Sequence, residues 1–565
     1  MAKKRYSEKP VKTPKLFLIN FKYKLNYCFN LCLMKKYISH TSLKTFILFF
    51  LFLGILGCKK NDPIAEKQDA SVSFTVDGIY NGTLTYKDVK VNTVIRVSFT
   101  SPVTEAAFPL ITLKTPENES VALNYLLEDD KKSIRISTKA SLASYNKYIL
   151  SIPSSIATIS GGKLINPLLI NLQAGLNDVD KFPIITDNEL LTLIQKQTFK
   201  YFWDFGHPVS GLARERNTSE NTVTTGGSGF GIMSIVVGVN RNFISKAEGL
   251  ARLQKIVGFL KTADTFHGVF PHWLNGNTGK VQPFSAKDNG ADLVETSFLM
   301  QGLLVARQYF NDNSTAETQL RANINQLYNN VEWSWFRKGT ENKLYWHWSP
   351  NYNWDINLQI KGWNESLMVY VLAASSSTYT IPKVVYDEGW AGNGSMKNGG
   401  TFYGTQLPLG SNNGGPLFFE HYSFLGLNPI GLKDAYADYQ TQAIAHSKIN
   451  YAYCVANPKQ FTGYSTQCWG LTASDINGGY TASSPNNDRG YIAPTAAVAS
   501  IPYTPEESLR AIKFFYYKLG DKLWGEYGFK DAFSLSEPWF AQSYLAIDQG
   551  PQIVMIENYR TGLIW

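Results

Sequence analysis

Glu189-Leu-Leu-Thr-Leu-Ile-Gln-Lys-Gln-Thr-Phe-Lys-Tyr-Phe-Trp-Asp-Phe205 carries its apolar side chains at the spacing of one helical face. It marks a change of pattern in the chain. The same spacing recurs over Ser245–Thr262, Leu293–Phe310, Ala316–Trp335, Ser366–Ser375, Tyr436–Val455 and Pro505–Leu519. Long loops rich in Gly, Trp, His, Asn and Asp join these segments. Helices connected by loops that hold the polar and aromatic residues point to an α/α toroid over residues 188–565. In such a fold the inner helices and the loops of one side line a cleft. No residue-level repeat accompanies the pattern.

Upstream, residues 174–187 read as a linker, and residues 70–173 have a different character. Val72–Val76, Val94–Phe99, Ser133–Ser137 and Tyr148–Ile152 alternate apolar and polar residues, with turn residues between them. This predicts a small all-β antiparallel sandwich resembling an immunoglobulin-like module. It holds no cluster of catalytic residue types, so spacing or docking is its expected role, with glycan binding as the alternative.

The net charge of +9 belongs to the N-terminus. Residues 1–57 hold eleven Lys/Arg and one acid, Glu8, which leaves the remainder at −1. No basic cluster follows residue 60, so no nucleic-acid partner is expected. Met34-Lys35-Lys36 followed by the apolar Thr45–Gly57 run reads as a signal peptide, with Met34 as the expected start. The apolar run is too short for a comfortable membrane span. It ends in Ile55-Leu56-Gly57-Cys58, which resembles a bacterial lipobox. Cys58 is then the lipidation site, residues 58–69 are a tether, and the protein is expected in the cell envelope, anchored to the outer membrane as a monomer. Cys28 and Cys32 fall in the leader. Cys454 and Cys468 could form a disulfide in an oxidising compartment.

Three stretches carry candidate chemistry. In Lys287–Thr296, Asp288, Asp292 and Glu295 stand at i, i+4 and i+7, which on a helix would put them on one face. Like charges so close raise one another's pKa. Capping could account for Asp288 and Asp292, but not for Glu295 among Leu293, Val294, Phe298 and Leu299. Glu365 follows Trp363 and Asn364, and an apolar flank lifts a carboxyl pKa as a general acid requires. Asp548 interrupts an apolar run, a costly position unless the group is paired, with Arg560 as the bland partner, or functional. Aromatic loops at Phe270–Trp273, Tyr345–Trp348, Phe418–Tyr422 and Trp469–Asp475 set rings beside polar groups, the composition of a carbohydrate cleft. Gly226–Gly231 lacks the Lys-Ser/Thr of a phosphate loop and suits tight backbone packing near that cleft.

Thr224–Met233, Phe284–Glu295, Trp363–Glu365, His421–Gly426, Trp469–Asp475 and Tyr544–Pro551, in this order, resemble the glucoamylase-like domain of glycoside hydrolase family 144. Ala291 departs mildly from the family pattern, which has Gly there. The resemblance implies an (α/α)6 barrel and inverting hydrolysis of β-1,2-glucan, endo-acting or releasing sophorose from an end, without metal or cofactor. It places the important acids at Asp288, Asp292, Glu295, Glu365 and Asp548, with Glu365 as general acid. Arg214, Phe230, His272, Trp273, Trp346, His347, Trp363, Asn364, His421, Tyr422, Trp469 and Asp475 are the expected sugar contacts. The alternatives are a non-catalytic surface glycan-binding lipoprotein and a glucanase of another linkage.

Overall fold

The computed structural model describes residues 66–565. The leader, Cys58 and most of the tether lie outside the described residues.

Nine strands form a two-sheet sandwich: β1 Val72–Val76, β2 Thr85–Val89, β3 Val94–Phe99, β4 Thr112–Lys114, β5 Ser120–Val121, β6 Leu123–Leu127, β7 Ser133–Thr138, β8 Lys147–Ile152 and β9 Leu168–Ala174. The sheets run β1-β3-β7-β6 and β2-β9-β8-β4-β5. Alternation sends Ile95, Val97, Phe99, Ile134, Ile136, Leu150 and Ile152 into one core between them. The expectation of a wholly antiparallel sandwich needs one correction. β2 runs parallel to β9, pairing Thr85 with Asn171 and Tyr86 with Leu172. These two strands are far apart in the chain and no hairpin joins them, so nothing forces them antiparallel.

Residues 175–186 do not hang free. Phe182 stacks on Tyr516, and the Lys181 N–H donates to the Tyr517 carbonyl. The sandwich itself is held by Gln173, whose Nε2 donates to the Leu535 carbonyl at 2.9 Å, and by Lys522, which donates to Ser144 O and Asn146 Oδ1.

Twelve helices follow: α1 Asp187–Trp203, α2 Thr225–Asn240, α3 Lys246–Leu260, α4 Leu293–Tyr309, α5 Thr315–Asn329, α6 Leu367–Ser375, α7 Phe418–His421, α8 Tyr439–Ala456, α9 Pro494–Ala499, α10 Pro505–Lys513, α11 Gly520–Leu523 and α12 Ala546–Thr561. Reciprocal capping boxes start α1 (Thr186 with Glu189) and α3 (Ser245 with Glu248). The chain alternates between helices with an exposed face (α1, α3, α5, α8, α10) and helices buried almost all round (α2, α4, α6, α9, α12). The buried set packs on itself, α2 against α4 and α12, α12 against α9, and α4 against α6.

Two expected helices end early. α5 stops at Asn329, and Trp333–Arg337 is a separate 3₁₀ turn; α10 gives way at Phe514 to a π-helical turn through Lys518. Five helices were not expected: the short α7, α9 and α11, and the long α2 and α12. An amphipathic pattern finds only helices with a wet side. α2 has none before Asn240, and its glycines read as loop; α12 carries Pro551 and is buried from Asp548 to Asn558. Cys454 and Cys468 are both buried free thiols.

α2 and α4 approach at backbone distance. A Cβ on Gly229 would stand 2.1 Å from the Phe298 carbonyl oxygen, and one on Gly302 2.1 Å from the Gly229 carbonyl oxygen. Gly229→Ala gains about 1 kcal/mol of helix propensity but meets backbone that cannot rotate away, an overpacking cost of about 1–3 kcal/mol or more. Thermal melts are expected to show Gly229→Ala destabilised. Gly258→Ala, on the exposed side of α3 with nothing within 4 Å of the new Cβ, is expected to stabilise by about 0.5–1 kcal/mol.

Candidate active site

The acidic stretch before α4 is not a helical face. Only Glu295 lies within α4. Asp292 is its N-cap, its Oδ1 accepting from the N–H groups of Val294 and Glu295 at 3.0 and 2.9 Å. Asp288 lies in the preceding turn. The Asp292 backbone is paired with His347 in a two-residue ladder, Ala291 opposite Trp348 and Asp292 opposite His347. That pairing, rather than helical periodicity, brings the two loops together.

The second oxygen of Asp292 is thereby free to meet two imidazoles. His272 Nδ1 lies 3.0 Å from Asp292 Oδ2, and His347 Nε2 lies 3.5 Å from it and 3.3 Å from Asp288 Oδ2. Burial opposes charge on both rings. At His272 the fields of Glu295, Asp292 and Asp288 outweigh it and raise the imidazole to about 9; His347 is raised as well, chiefly by its bond to Asp292. Burial would raise Asp292, but the two histidines hold it well below the carboxylate range. Asp288, buried beside Asp292, is raised. Ligand atoms of His272, Asp288 and Asp292 lie within 4.8 Å of one another, close enough to hold a metal ion. The two imidazoles supply positive charge at the same point. Trp346 backs His347, its ring nearly parallel at 5.8 Å. Exposed Phe284 and half-buried Trp273 flank His272, with Phe284 at 4.3 Å and Trp273 at 5.6 Å between ring centres. Phe284, which composition alone did not single out, offers the most open ring of this group.

Glu295 points to the start of α2. The Gly226 N–H donates to its Oε2 at 2.8 Å, and a Cβ at Gly226 would come within 2.6 Å of that oxygen. Burial raises the Glu295 carboxyl despite the nearby His272. Glu365 sits at the entry to α6, just before the N-cap Ser366. Its backbone carbonyl accepts from Ser423 Oγ. Burial, then the charges of Glu295 and Asp292, lift its carboxyl to about 7. Tyr422 links this region to α12. Burial raises its hydroxyl, as do the charges of Asp548, Glu365 and Glu295, so one phenol lies in the field of all three acids.

Asp548 stands in the first turn of α12 with its side chain buried. It does not pair with Arg560, whose guanidinium donates to Gln195 and Asn188. Its neighbour is Asp531, followed by Asp475 and Arg216. Arg216 donates from Nη1 to both oxygens of Asp475 at 3.2–3.3 Å and from Nε to Glu215. A cavity of about 650 Å³ opens beside them, lined in part by Arg216, Asp475, Tyr480 and Trp539.

Several expected sugar contacts lie elsewhere. Phe230 is fully buried in α2 against Phe298 and Tyr422. Trp363 is buried and donates from Nε1 to Glu420 Oε1 at 2.6 Å; that oxygen also accepts from Gln442 and contacts His446 Nδ1 at 2.8 Å each. Its job is to fix the segment that carries Glu365. His421 is buried on Ser500 Oγ, and burial lowers it to about 3. Trp469 is buried with its Nε1 on the Glu507 carbonyl. Arg214 is spent on the carbonyls of Glu220 and Phe205 and stacks on the Phe205 ring. These are corrections with one cause: a ring or cation in an aromatic-rich loop fills the core as readily as it faces a cleft. Asn364 stays half-buried, its Oδ1 accepting from Ser366 N–H. Sequence reasoning missed Arg216, Glu420, Tyr480 and Asp531. Asp531 did carry a signal, an acid between Phe529 and Phe533.

The raised Glu365 carboxyl has a stability consequence. Above its unfolded value of 4.5 the unfolded chain releases a proton that the folded chain keeps up to about 7. Stability is therefore lost as pH rises through this window. Glu365→Gln is expected to melt like the parent below pH 4.5 and above it at pH 7 and higher, read by thermal melts across pH.

The family model described as Glycoamylase matches residues 357–565. The exo β-1,2-glucooligosaccharide sophorohydrolase (non-reducing end) of Parabacteroides distasonis is 47% identical over 403 residues, 67% of this chain and 56% of that protein. This chain thus spans little more than half the length of that relative. Among solved structures, the endo-β-1,2-glucanase of Chitinophaga pinensis, in complex with sophorotriose and glucose, is 53% identical; the match covers 68% of this chain and 94% of that one with a TM-score of 0.66. A β-1,2-glucanase of Parabacteroides distasonis is 38% identical over 85% of this chain and 69% of that one, with a TM-score of 0.67. On these matches the chain belongs to the glucoamylase-like family.

Proposed function

We propose that this protein is a glycoside hydrolase of family 144 that cleaves β-1,2-glucan with inversion, on an (α/α)6 barrel preceded by an immunoglobulin-like module. The observation that carries the reading is that the charges of Glu365, Glu295 and Asp548, from the starts of α6, α4 and α12, all act on the one buried Tyr422 hydroxyl. Similarity to enzymes named for β-1,2-glucan supports the linkage.

Glu365 is the general acid. Its raised carboxyl keeps a proton near neutrality, available to the leaving glycosidic oxygen. Asp548 is the base, drawing a proton from water directly or through a sugar hydroxyl. Asp292, held anionic between His272 and His347, and Glu295 on the Gly226 N–H bind and orient the sugar with Asp288. Phe284, Trp273 and Trp346 offer ring faces beside them. The Leu56-Gly57-Cys58 motif supports lipid anchoring in the cell envelope; radiolabelled fatty acid is expected on the parent and not on Cys58→Ser.

Incubation with linear β-1,2-glucan followed by chromatography tests the activity. A ladder of oligosaccharides indicates endo cleavage, and sophorose alone indicates release from an end. Glu365→Gln is expected to lower kcat by about 10²–10⁴, and parent kcat is expected to fall as pH rises through about 7, where the acid loses its proton. Full activity of Glu365→Gln would refute the assignment.

A further inference from the structure

Glu365, the acid of the proposed reaction, owes its place to its backbone. Among the described residues no other side chain is hydrogen-bonded to its carboxyl. A carboxyl without such a partner is aimed only as well as the chain that carries it. The turn from Glu420 to Ser423 bonds to that chain on both sides of Glu365. Before it, Trp363 Nε1 donates to Glu420 Oε1 at 2.6 Å. At Glu365 itself, the backbone carbonyl accepts from Ser423 Oγ. After it, the same Oγ accepts from the Met368 N–H at 3.0 Å. The Ser423 carbonyl in turn accepts from Gln301 Nε2 at 2.6 Å, which ties the turn to α4, the helix that carries Glu295.

Glu420 is a costly residue for packing alone. It is fully buried, and its Oε2 has no donor. An unpaired buried acceptor is expensive, and an apolar side chain of similar volume would pack at lower cost. Its Oε1 instead gathers three groups. Besides the indole of Trp363, it accepts from Gln442 Nε2 at 2.8 Å and meets His446 Nδ1 at 2.8 Å. Gln442 and His446 stand one turn apart on α8. His446 Nε2 lies 2.8 Å from the Gly415 carbonyl. Both ring nitrogens thus face oxygen, so a proton lies in each contact and the Glu420–His446 pair is neutral as a whole. The pair supplies an acceptor fixed from α8, and that acceptor holds the indole two residues before Glu365. Tyr439, also on α8, stacks on the same indole at 5.5 Å.

We infer that Glu420 and Ser423 are positioning residues that grip the chain on either side of Glu365 and keep its carboxyl in its sheltered place. This rests on Glu365 being the general acid. Both residues are buried and act through Glu365. The groups that face Glu365 are Glu295 and Asp292 from α4 and Tyr422 beside α7, and cutting a grip alters none of them. Burial is the largest cause of the raised Glu365 carboxyl. A loosened chain admits water, and the carboxyl falls from about 7 toward its ordinary 4.5.

The experiment is the pH dependence of kcat/KM on β-1,2-glucan, with kcat and KM separated at the optimum. The proteins are the parent, Ser423→Ala, Trp363→Phe, the two combined, and Glu420→Gln, with thermal melts to check folding. Ser423→Ala and Trp363→Phe are each expected to lower kcat by about tenfold or more at similar KM. Each is also expected to move the basic limb by about half a pH unit or more toward acid, and the combined variant further. Glu420→Gln leaves an oxygen for the indole and is expected to move the limb less than Trp363→Phe does. Basic limbs of Ser423→Ala and Trp363→Phe that superimpose on the parent's overturn the inference whatever the loss in rate. A bond that served stability alone would cost folded protein and leave the titration of the acid where it was. A limb moved as far by Glu420→Gln as by Trp363→Phe overturns the part given to Glu420. Full activity of Glu365→Gln overturns the assignment of the acid instead, so the two failures are distinct.

Discussion

The close approach of α2 and α4 is the constraint on which the candidate site depends. Gly229 and Gly302 let the two backbones touch, each where a methyl group would stand 2.1 Å from a carbonyl oxygen. One turn earlier in α2, that contact sets the Gly226 N–H against Glu295. The amide also lies at the N-terminus of a 16-residue helix, where free donors and the helix dipole favour negative charge. A helix packed from glycines therefore does two things at once. It brings the backbones together, and it points a helix-terminal N–H at an acid of the candidate site.

Around that contact the protein separates its acids by environment. Asp292 sits between two imidazoles and is stabilised as an anion. Glu365 has only burial and like charge beside it and is held protonated to about 7. Asp531 and Asp548 oppose each other in the dark of the core, with Arg216 one residue removed behind Asp475. Carboxyls whose environments push their protonation apart are what acid–base chemistry at one pH requires. The near-neutral charge of the chain beyond residue 57 conceals this arrangement, because the compensation is local.

The sandwich is tied to the same machinery from outside. Gln173, at the end of β9, holds the carbonyl of Leu535, which lies between Asp531 and Ser543 on the strip that carries the buried acid. Tyr145 joins the hydrophobic cluster of Phe533 and Leu535. The β-module is thus packed on the helical domain, with a contact close to the candidate site.

The sequence by itself determined the alternation of the sandwich, the amphipathic helices and the acids worth testing, because each leaves a local trace. Wet-faced helices such as α1 and α3 show a period and a capping box; Asp292 and Glu365 stand out by neighbours a few residues away. What tertiary structure decided has no such trace. α2 and α12 are buried all round, so no periodicity marks them. Asp288, Asp292 and Glu295 converge through a strand pairing with His347 some fifty residues distant, and not through a helical face. Phe230, Trp363, His421 and Trp469 have the composition of cleft residues and the surroundings of a core. Asp531 and Asp548 stand seventeen positions apart, and only the fold buries the two acids beside each other. Burial and pairing are properties of contacts between distant segments, and they select from the sequence's candidates those that can hold or release a proton.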